Sequence, residues 1–458
     1  MRQNIYYQLS FLVIALFIGL PMATGQPLSL QVKLVDVSIG PLTLEEGLTT
    51  RSVLEIEAKE GLATNFKLGY YSTGVLRSKK ADKSYLVCLT PGRQIEVNIA
   101  ADSSLTTNHI ADSLLNYLWK SNNNFIVENG STIFNPQKLS DILVLFEGFQ
   151  QERAALIESH ADRLTAEEQA LLAYQNEARI YSFLFYFGRL VQNLPADDAF
   201  FDFVEAIDPE NPWTKTLPHN VLYQFEVQYL RQQDSLQSIS SFIDFIQRST
   251  KSKDQAAFYQ AIYLKELIES PSYWAKHVQL FNADVLEAAL AAQASNPYYY
   301  LLEKSSTNYF QSQKGEEAFD FTAFDRQGNE VKLSDFAGKF VFIDNWASWC
   351  GPCLRHRPSV LELSRQFADQ TDIVFLMVSL DSRGQDWKRY FSRNLEDSAP
   401  ATDLLIENGM QGDYGDRYNI HFIPKYVLID PDGKIVDANL PEPGPGLERL
   451  LRQHLTPK

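Results

Sequence analysis

The last third of this sequence predicts an α/β sandwich with a mixed sheet, and the residues before it predict a β-rich segment followed by a helical one. Three observations carry this. Over 26–104 apolar residues alternate with polar ones, as in Leu54, Ile56 and Ala58 and in Ile95, Val97 and Ile99, which is the period of half-buried strands. Over 105–310 the period becomes helical, with Leu139, Ile142, Leu143, Phe146 and Phe149 on one face. From 316 to 458 short apolar runs and helical stretches follow in the order βαβαββα.

Taken in order, the chain opens with Arg2, an apolar run from Phe11 to Leu20, then Pro21 and the small residues Ala23, Thr24 and Gly25. That is the layout of a secretory signal peptide over residues 1–25, cleaved after Gly25. The run is short for a membrane span, although an uncleaved anchor is the alternative. The reading places the mature chain outside the cytoplasm, in the periplasm, where disulfides form. In the β-rich segment the alternation changes phase at Val35, suggesting a bulge, and Pro91-Gly92 marks a turn. In the helical segment Thr165 and Glu168 form a capping-box signature. The apolar stretch Ile180 to Val191 is expected to be buried, and Tyr298-Tyr299-Tyr300 reads as core. Gln311 to Glu317 is polar and reads as a linker. Beyond it Val341–Trp346 and Ile373–Leu380 read as buried strands. Cys350 to Phe367, the Trp387 to Phe391 region and Glu448–Leu455 read as helices. Asp432-Gly433 is a hairpin turn between Tyr426–Ile429 and Ile435-Val436.

The chain has 458 residues, enough for two or three domains. Its 45% hydrophobic and 21% charged residues exclude wholesale disorder. The net charge of −16 gives no chain-wide basic footprint, so no nucleic-acid partner is expected. Three cysteines cannot staple a fold of this size. Cys88, inside the apolar Tyr85–Leu89 pattern, reads as a buried, inert thiol. The other two make the single Cys350-Gly-Pro-Cys353 motif.

A buried strand delivers Cys350 to a turn, and a helix starts at that turn. Unpaired N–H groups at a helix start favour a thiolate, so the Cys350 thiol should be acidified. Two intervening residues allow both sulfurs to meet, and Pro352 suits a first helical turn. The pair can then cycle between dithiol and disulfide. Three other readings compete. Structural zinc would need two further ligands, and there is no second Cys pair. Covalent haem would need His after Cys353, where Leu354 stands. A purely structural disulfide would close a loop too short to constrain much chain. No metal and no cofactor is therefore expected.

Residues 316–458 resemble the thioredoxin-like, exported thiol-disulfide oxidoreductases of the TlpA/ResA type. The resemblance rests on Phe319-Asp-Phe321, Gly338-Lys339, the run Trp346 to Cys353, Pro358, and Ile423-Pro424 ahead of Leu428-Ile-Asp430. The β-rich and helical segments look like the N-terminal extension of Bacteroidetes-type members. The resemblance implies that Cys350 is the exposed attacking thiolate and Cys353 the resolving thiol. It makes Asp344 the buried carboxylate that exchanges protons with Cys353, and Pro424 a cis proline where substrate backbone docks. Trp349, Gly351, Pro352, His356 and Ile423 become the surroundings of the redox-active pair, and Pro358 a kink in its helix. The sequence departs from the family in three places: His356 stands for the usual Glu, Lys425 for a common Thr, and Phe422 for a common Gly. Arg355 and Arg357, flanking His356, read either as a solvated helix face or as positive potential near the thiolate.

The resulting reading is a thiol-disulfide oxidoreductase that reduces disulfide-containing client proteins and is re-reduced by a membrane electron donor. A disulfide oxidase or isomerase is the alternative within this chemistry. A peroxidase is disfavoured, because Ile343 and Ala347 occupy the positions where peroxiredoxins have Pro and Thr or Ser. A non-enzymatic alternative makes the N-terminal region a partner-binding module with the redox domain regulatory.

Overall fold

The computed structural model describes residues 27–34, 42–46, 52–56, 63–67, 72–78, 83–90, 93–99, 105–394, 400–406 and 409–455. The leader at 1–25, its cleavage point, the bulge at Val35, Ala58 and the Pro91-Gly92 turn lie outside the described residues. The chain forms two compact units, one up to Gln232 and one from Gln233. Among the described residues no helix is long and apolar enough to cross a membrane.

The first unit begins with strands β1 (Pro27–Leu34), β2 (Leu42–Glu46), β3 (Ser52–Ile56), β4 (Ala63–Lys67), β5 (Ser72–Ser78), β6 (Lys83–Leu89), β7 (Gln94–Ile99) and β8 (Leu105–Thr107). They make two four-stranded sheets, ordered β4-β1-β7-β8 and β3-β2-β5-β6. Ile95 and Val97 are buried, as their alternation requires. Cys88 on β6 is fully buried, and its N–H donates to Asp112 Oδ1 at 2.8 Å. Burial pushes its thiol well above the ordinary range and Asp112 adds to the rise, so it has little thiolate character. Helices α1 (Ile110–Glu128), α2 (Gly130–Phe134), α3 (Leu139–Glu158), α4 (Ala166–Tyr186) and α5 (His219–Gln232) complete the unit. The start of α4 is a reciprocal cap: Glu168 N donates to Thr165 Oγ1 at 3.2 Å, and Thr165 N to Glu168 Oε2 at 3.0 Å.

The stretch Ile180 to Val191 corrects the sequence reading. Ile180, Leu184, Phe185 and Phe187 are buried, but Tyr186, Leu190 and Val191 are exposed. The helical period places residues four apart on one outer face, whatever their polarity. Gly188 is required here, since a Cβ on it would lie 2.7 Å from the Phe201 ring.

The second unit starts with α6 (Ile239–Ser249), α7 (Lys253–Glu269), α8 (Ala275–Val278), α9 (Ala283–Ala292) and α10 (Tyr300–Gln311). The tyrosine triplet is not core: Tyr300 is exposed, and half-buried Tyr298 packs edge-on against Phe258 while donating to Asp254. Its phenol keeps a polar partner at the surface, which a core position would deny it. The stretch after α10 is pinned rather than free. Gly315 N donates to Ile435 O at 2.8 Å, and Ile435 N to Glu316 O at 2.9 Å.

The C-terminal part contains β9 (Thr322–Asp325), β10 (Glu330–Lys332), β11 (Phe340–Trp346), α11 (Gly351–Gln366), β12 (Ile373–Ser379), α12 (Gly384–Arg393), β13 (Ala401–Leu405), α13 (Asp413–Arg417), β14 (Lys425–Ile429), β15 (Ile435–Asp437) and α14 (Pro445–Leu455). Seven strands form one mixed sheet, ordered β10-β9-β13-β12-β11-β14-β15. β11 runs parallel to β12 and antiparallel to β14. It is buried on both faces, which explains the apolar run over residues 340–343 that precedes Asp344 and Asn345. Val341 and Ile343 belong to the core under one face, Phe342 and Trp346 to the core under the other. The order βαβαββα omitted β9, β10 and β13, which are short and carry polar residues. Gly433 adopts a left-handed φ of 82° in the β14–β15 turn, as an Asp-Gly turn allows.

Lys304 and Asn308 of α10 both reach Asp416 of α13, at 2.9 and 3.4 Å. A fragment of 316–458 should therefore keep the seven-stranded sheet yet unfold at lower urea than a fragment starting at 233. The expected loss is about 1–2 kcal/mol. Equal urea midpoints would show that α10 does not support the sheet.

Candidate redox site

β11 ends at Trp346 and α11 begins at Gly351, so the loop between them sets the position of Cys350. Asp381, just past β12, holds that loop. It accepts from Ser348 N at 2.9 Å, Ser348 Oγ at 2.7 Å and Ser379 Oγ at 2.7 Å. Cys350 is the N-cap of α11, and its Sγ accepts from Cys353 N at 3.2 Å. This is the orphan-donor geometry of a helix start. Cys350 and Cys353 are joined by a disulfide with their Cα atoms 5.3 Å apart. Gly351 and Pro352 form the exposed first turn, and Pro358 lies inside the helix rather than at its boundary.

Cys350 is 5% exposed and Cys353 2%. The expectation of an exposed Cys350 is thus corrected for the disulfide form. The Ile423 carbonyl lies 3.7 Å from Cys350 Sγ, and both sulfurs sit in the apolar cluster under α11. The solvent-facing residues are the neighbours, Trp349 at 62% and Phe422 at 43% exposure. The Ile423–Pro424 peptide bond is cis.

Asp344 lies on the α11 face of β11, between Phe342 and Trp346 in the alternation. It is buried, and its Oδ1 has no hydrogen-bond partner among the described residues. Burial pushes its carboxyl up to about 7; the Arg357 guanidinium opposes this and Asp403 adds to it. On one side its cross-strand partner is Tyr426, whose hydroxyl is 3.1 Å from His356 Nδ1. Burial, Asp344 and Glu442 all raise the Tyr426 pKa, so the phenol stays protonated and can donate to that nitrogen. His356 Nε2 is 3.8 Å from Glu442 Oε2. On the other side the partner is Met377, whose own partner on β13 is Asp403.

Arg357 is not part of a solvated helix face. It is buried, its Nη2 donates to Asp403 Oδ1 at 2.6 Å, and its guanidinium lies 4.3 Å from the Trp346 ring centroid. Arg355 alone stays exposed on the helix surface. Sequence reasoning missed Asp403 because β13 was not recognised. It missed Tyr426 and Asp381 because nothing local marks them.

The other face of β14 supports the cis proline. Lys425 is buried, and its Nζ donates to Asn419 O at 2.8 Å. Burial pulls its ammonium down to about 7, against the opposing effect of Asp437. Its carbonyl accepts from Asn345 Nδ2 at 2.9 Å, and Asn345 Oδ1 accepts from the Tyr414 hydroxyl at 2.6 Å. These bonds close residues 419–425 into a loop that presents Ile423 to the disulfide.

With this geometry in place, similarity to known proteins becomes informative. A family model described as thioredoxin-like matches residues 338–435. The thioredoxin-like protein YneN of Bacillus subtilis (strain 168) is 27% identical over 128 residues, which is 28% of this chain and 72% of its own length. The thiol-disulfide oxidoreductase ResA of Bacillus thuringiensis subsp. konkukian is 30% identical over 123 residues, 27% of this chain and 66% of its own. A crystal structure of the thioredoxin domain of a thiol-disulfide oxidoreductase from Bacteroides vulgatus is 30% identical. It covers 31% of this chain and 99% of that one, with a TM-score of 0.28. All of these similarities fall on about a third of the chain or less.

The buried carboxyl has a measurable consequence. Its folded pKa of about 7 exceeds the ordinary 3.8, so the folded state holds this proton more tightly than the unfolded one. Stability is then lost as pH rises from about 4 to about 7, and stays low above that. In the disulfide form Asp344→Asn should stabilise at pH 8 by up to about 4 kcal/mol and change little at pH 4. Urea unfolding at both pH values reads this, and an equal effect at both would exclude a raised carboxyl.

Proposed function

We propose that this chain, whose C-terminal domain is a thioredoxin-like thiol-disulfide oxidoreductase, is an exported reductant of protein disulfides. The observation that carries the reading is the Cys350–Cys353 pair at the N-terminus of α11, with the Ile423 carbonyl beside one sulfur and Asp344 beneath the helix. In the reduced form the Cys350 thiolate, favoured by the helix start, attacks one sulfur of a client disulfide. A mixed disulfide forms and the first client thiolate leaves. Asp344 then takes the Cys353 proton, and the Cys353 thiolate attacks Cys350 Sγ. The second client thiolate leaves and the Cys350–Cys353 disulfide closes. Two electrons have passed to the client. A base near the working pH is suited to such a transfer, and a carboxyl at about 7 meets that condition. His356 stands where the family resemblance implies Glu, and so brings no carboxylate of its own to that position.

The Ile423 carbonyl and the exposed Trp349 and Phe422 offer a client backbone and apolar side chains a docking edge. The Gly-Pro dipeptide favours reduction: it is the one found in thioredoxin, a couple near −270 mV. The leader reading of residues 1–25 supports export to the periplasm, and a reductant there requires a membrane electron donor. The β-rich 26–104 and helical 105–310 segments serve client choice or assembly, since no redox residue lies in them apart from buried Cys88.

Insulin reduction should fall to background in Cys350→Ser. Cys353→Ser should instead accumulate mixed disulfides with client proteins, visible on non-reducing gels and cleared by dithiothreitol. Trapping by Cys350→Ser in place of Cys353→Ser would reverse the two roles.

A further inference from the structure

The Arg357–Asp403 ion pair has no part in the exchange steps above, yet its placement is specific. Cross-strand partners share a face of a sheet. Tyr426, Asp344, Met377 and Asp403 therefore form one row across β14, β11, β12 and β13. α11 covers this row and places side chains at both of its ends. His356 meets Tyr426 at one end, and Arg357 meets Asp403 at the other. The pair is also oriented. The guanidinium lies over Trp346, two residues from Asp344 on the same face of the same strand. Its carboxylate partner sits two strands away from Asp344, beyond Met377. The cationic end is thus the one that faces β11.

We propose that Arg357 and Asp403 are positioning residues for the exchange reaction: the oriented pair, its cationic end toward β11, biases the charge state of Asp344, and so sets the pH at which Cys353 resolves the mixed disulfide. The inference rests on the reading of Asp344 as the proton acceptor for Cys353. The directions in which the two groups act on Asp344 agree with the geometry, Arg357 favouring its charged form and Asp403 its neutral form. Among the described residues the other titratable groups around this site are Cys353 and His356 of α11, Tyr426 beneath it, Glu442 beyond His356, Tyr390 of α12 near Arg357, Arg326 on the Phe391 ring that Arg357 also meets, and Tyr414 of α13, on which Asp344 acts. None of these is a cation held against β11 in the way Arg357 is. Removing one member of the pair withdraws its own effect on Asp344 and leaves that of the other. The two single substitutions should therefore push Asp344 in opposite directions.

The test uses the full chain, reduced and mixed with the aromatic disulfide 5,5′-dithiobis(2-nitrobenzoate). Attack by Cys350 releases one coloured thiolate and resolution by Cys353 releases the second, so the two steps are read as successive phases. The pH midpoint of the second phase is measured for wild type, Asp403→Asn, Arg357→Met and the double variant. Asp403→Asn should lower the midpoint and Arg357→Met should raise it. At a pH one unit below the wild-type midpoint, each should change the second-phase rate by up to roughly tenfold, in opposite senses. The double variant should fall between the singles. The first phase should keep its pH profile. Should Arg357→Met fail to fold, Asp403→Asn and the double variant still give the sign. Unmoved midpoints, singles that move together, or a first phase that shifts equally would overturn the proposal. Failure of wild type to release the second thiolate would instead overturn the exchange reading on which it rests.

Discussion

Burial of β11 on both faces is the constraint from which the rest of the site follows. The strand lies between parallel β12 and antiparallel β14 and ends where α11 begins. Its alternation sends Val341 and Ile343 to one core and Phe342 and Trp346 to the other. Asp344 must then lie under α11, in surroundings that disfavour a charge. An isolated buried carboxylate costs several kcal/mol and responds by holding its proton. Here the response leaves a carboxyl that changes charge near neutrality, placed under the helix that carries both cysteines.

The same strand organises what surrounds that carboxyl. Its end is fixed by Asp381, which ties the loop before Cys350 to the end of β12. Its partner β14 begins one residue after the cis proline, and the Asn345–Lys425 contact links the two strands on the face away from α11. The disulfide is therefore held from both sides of the sheet: α11 carries its sulfurs, and the 419–425 loop brings the Ile423 carbonyl to one of them. Lys425 is another buried ionisable group, and its single acceptor in that loop is a backbone carbonyl. Polar groups left in dry surroundings with few partners are characteristic of sites kept for function rather than for stability.

The parts of this arrangement that were legible in the sequence are those with a local cause. The apolar run of β11, the helix after Cys350, the Asp432-Gly433 hairpin and the Thr165–Glu168 cap each follow from residues within a few positions of one another. What escaped depends on tertiary contact. β13 is a five-residue strand, Ala401–Leu405, with no clean alternation, so neither the strand nor its carboxylate Asp403 was recognised. Arg357 on a helix reads as solvated until the strand partner and the Trp346 ring that cover it are known. Cys350 was expected at the surface because the family resemblance makes it the exposed attacking thiolate. In the disulfide form its exposed neighbours are Trp349 and Phe422, while the sulfur packs into the cluster under α11. Apolar content misled in the other direction at Ile180–Val191 and at Tyr298–Tyr300, where helical period or a surface hydrogen bond turned large side chains outward.

The central claim is that this centre donates electrons to client disulfides, and the midpoint potential of the Cys350–Cys353 couple tests it most directly. Equilibration of the full chain against glutathione or dithiothreitol buffers, followed by thiol labelling, gives that number. The account predicts a value more negative than about −200 mV, on the thioredoxin side of the known range. A value near −120 mV, where the oxidant DsbA lies, would contradict it and make the protein a source of disulfides.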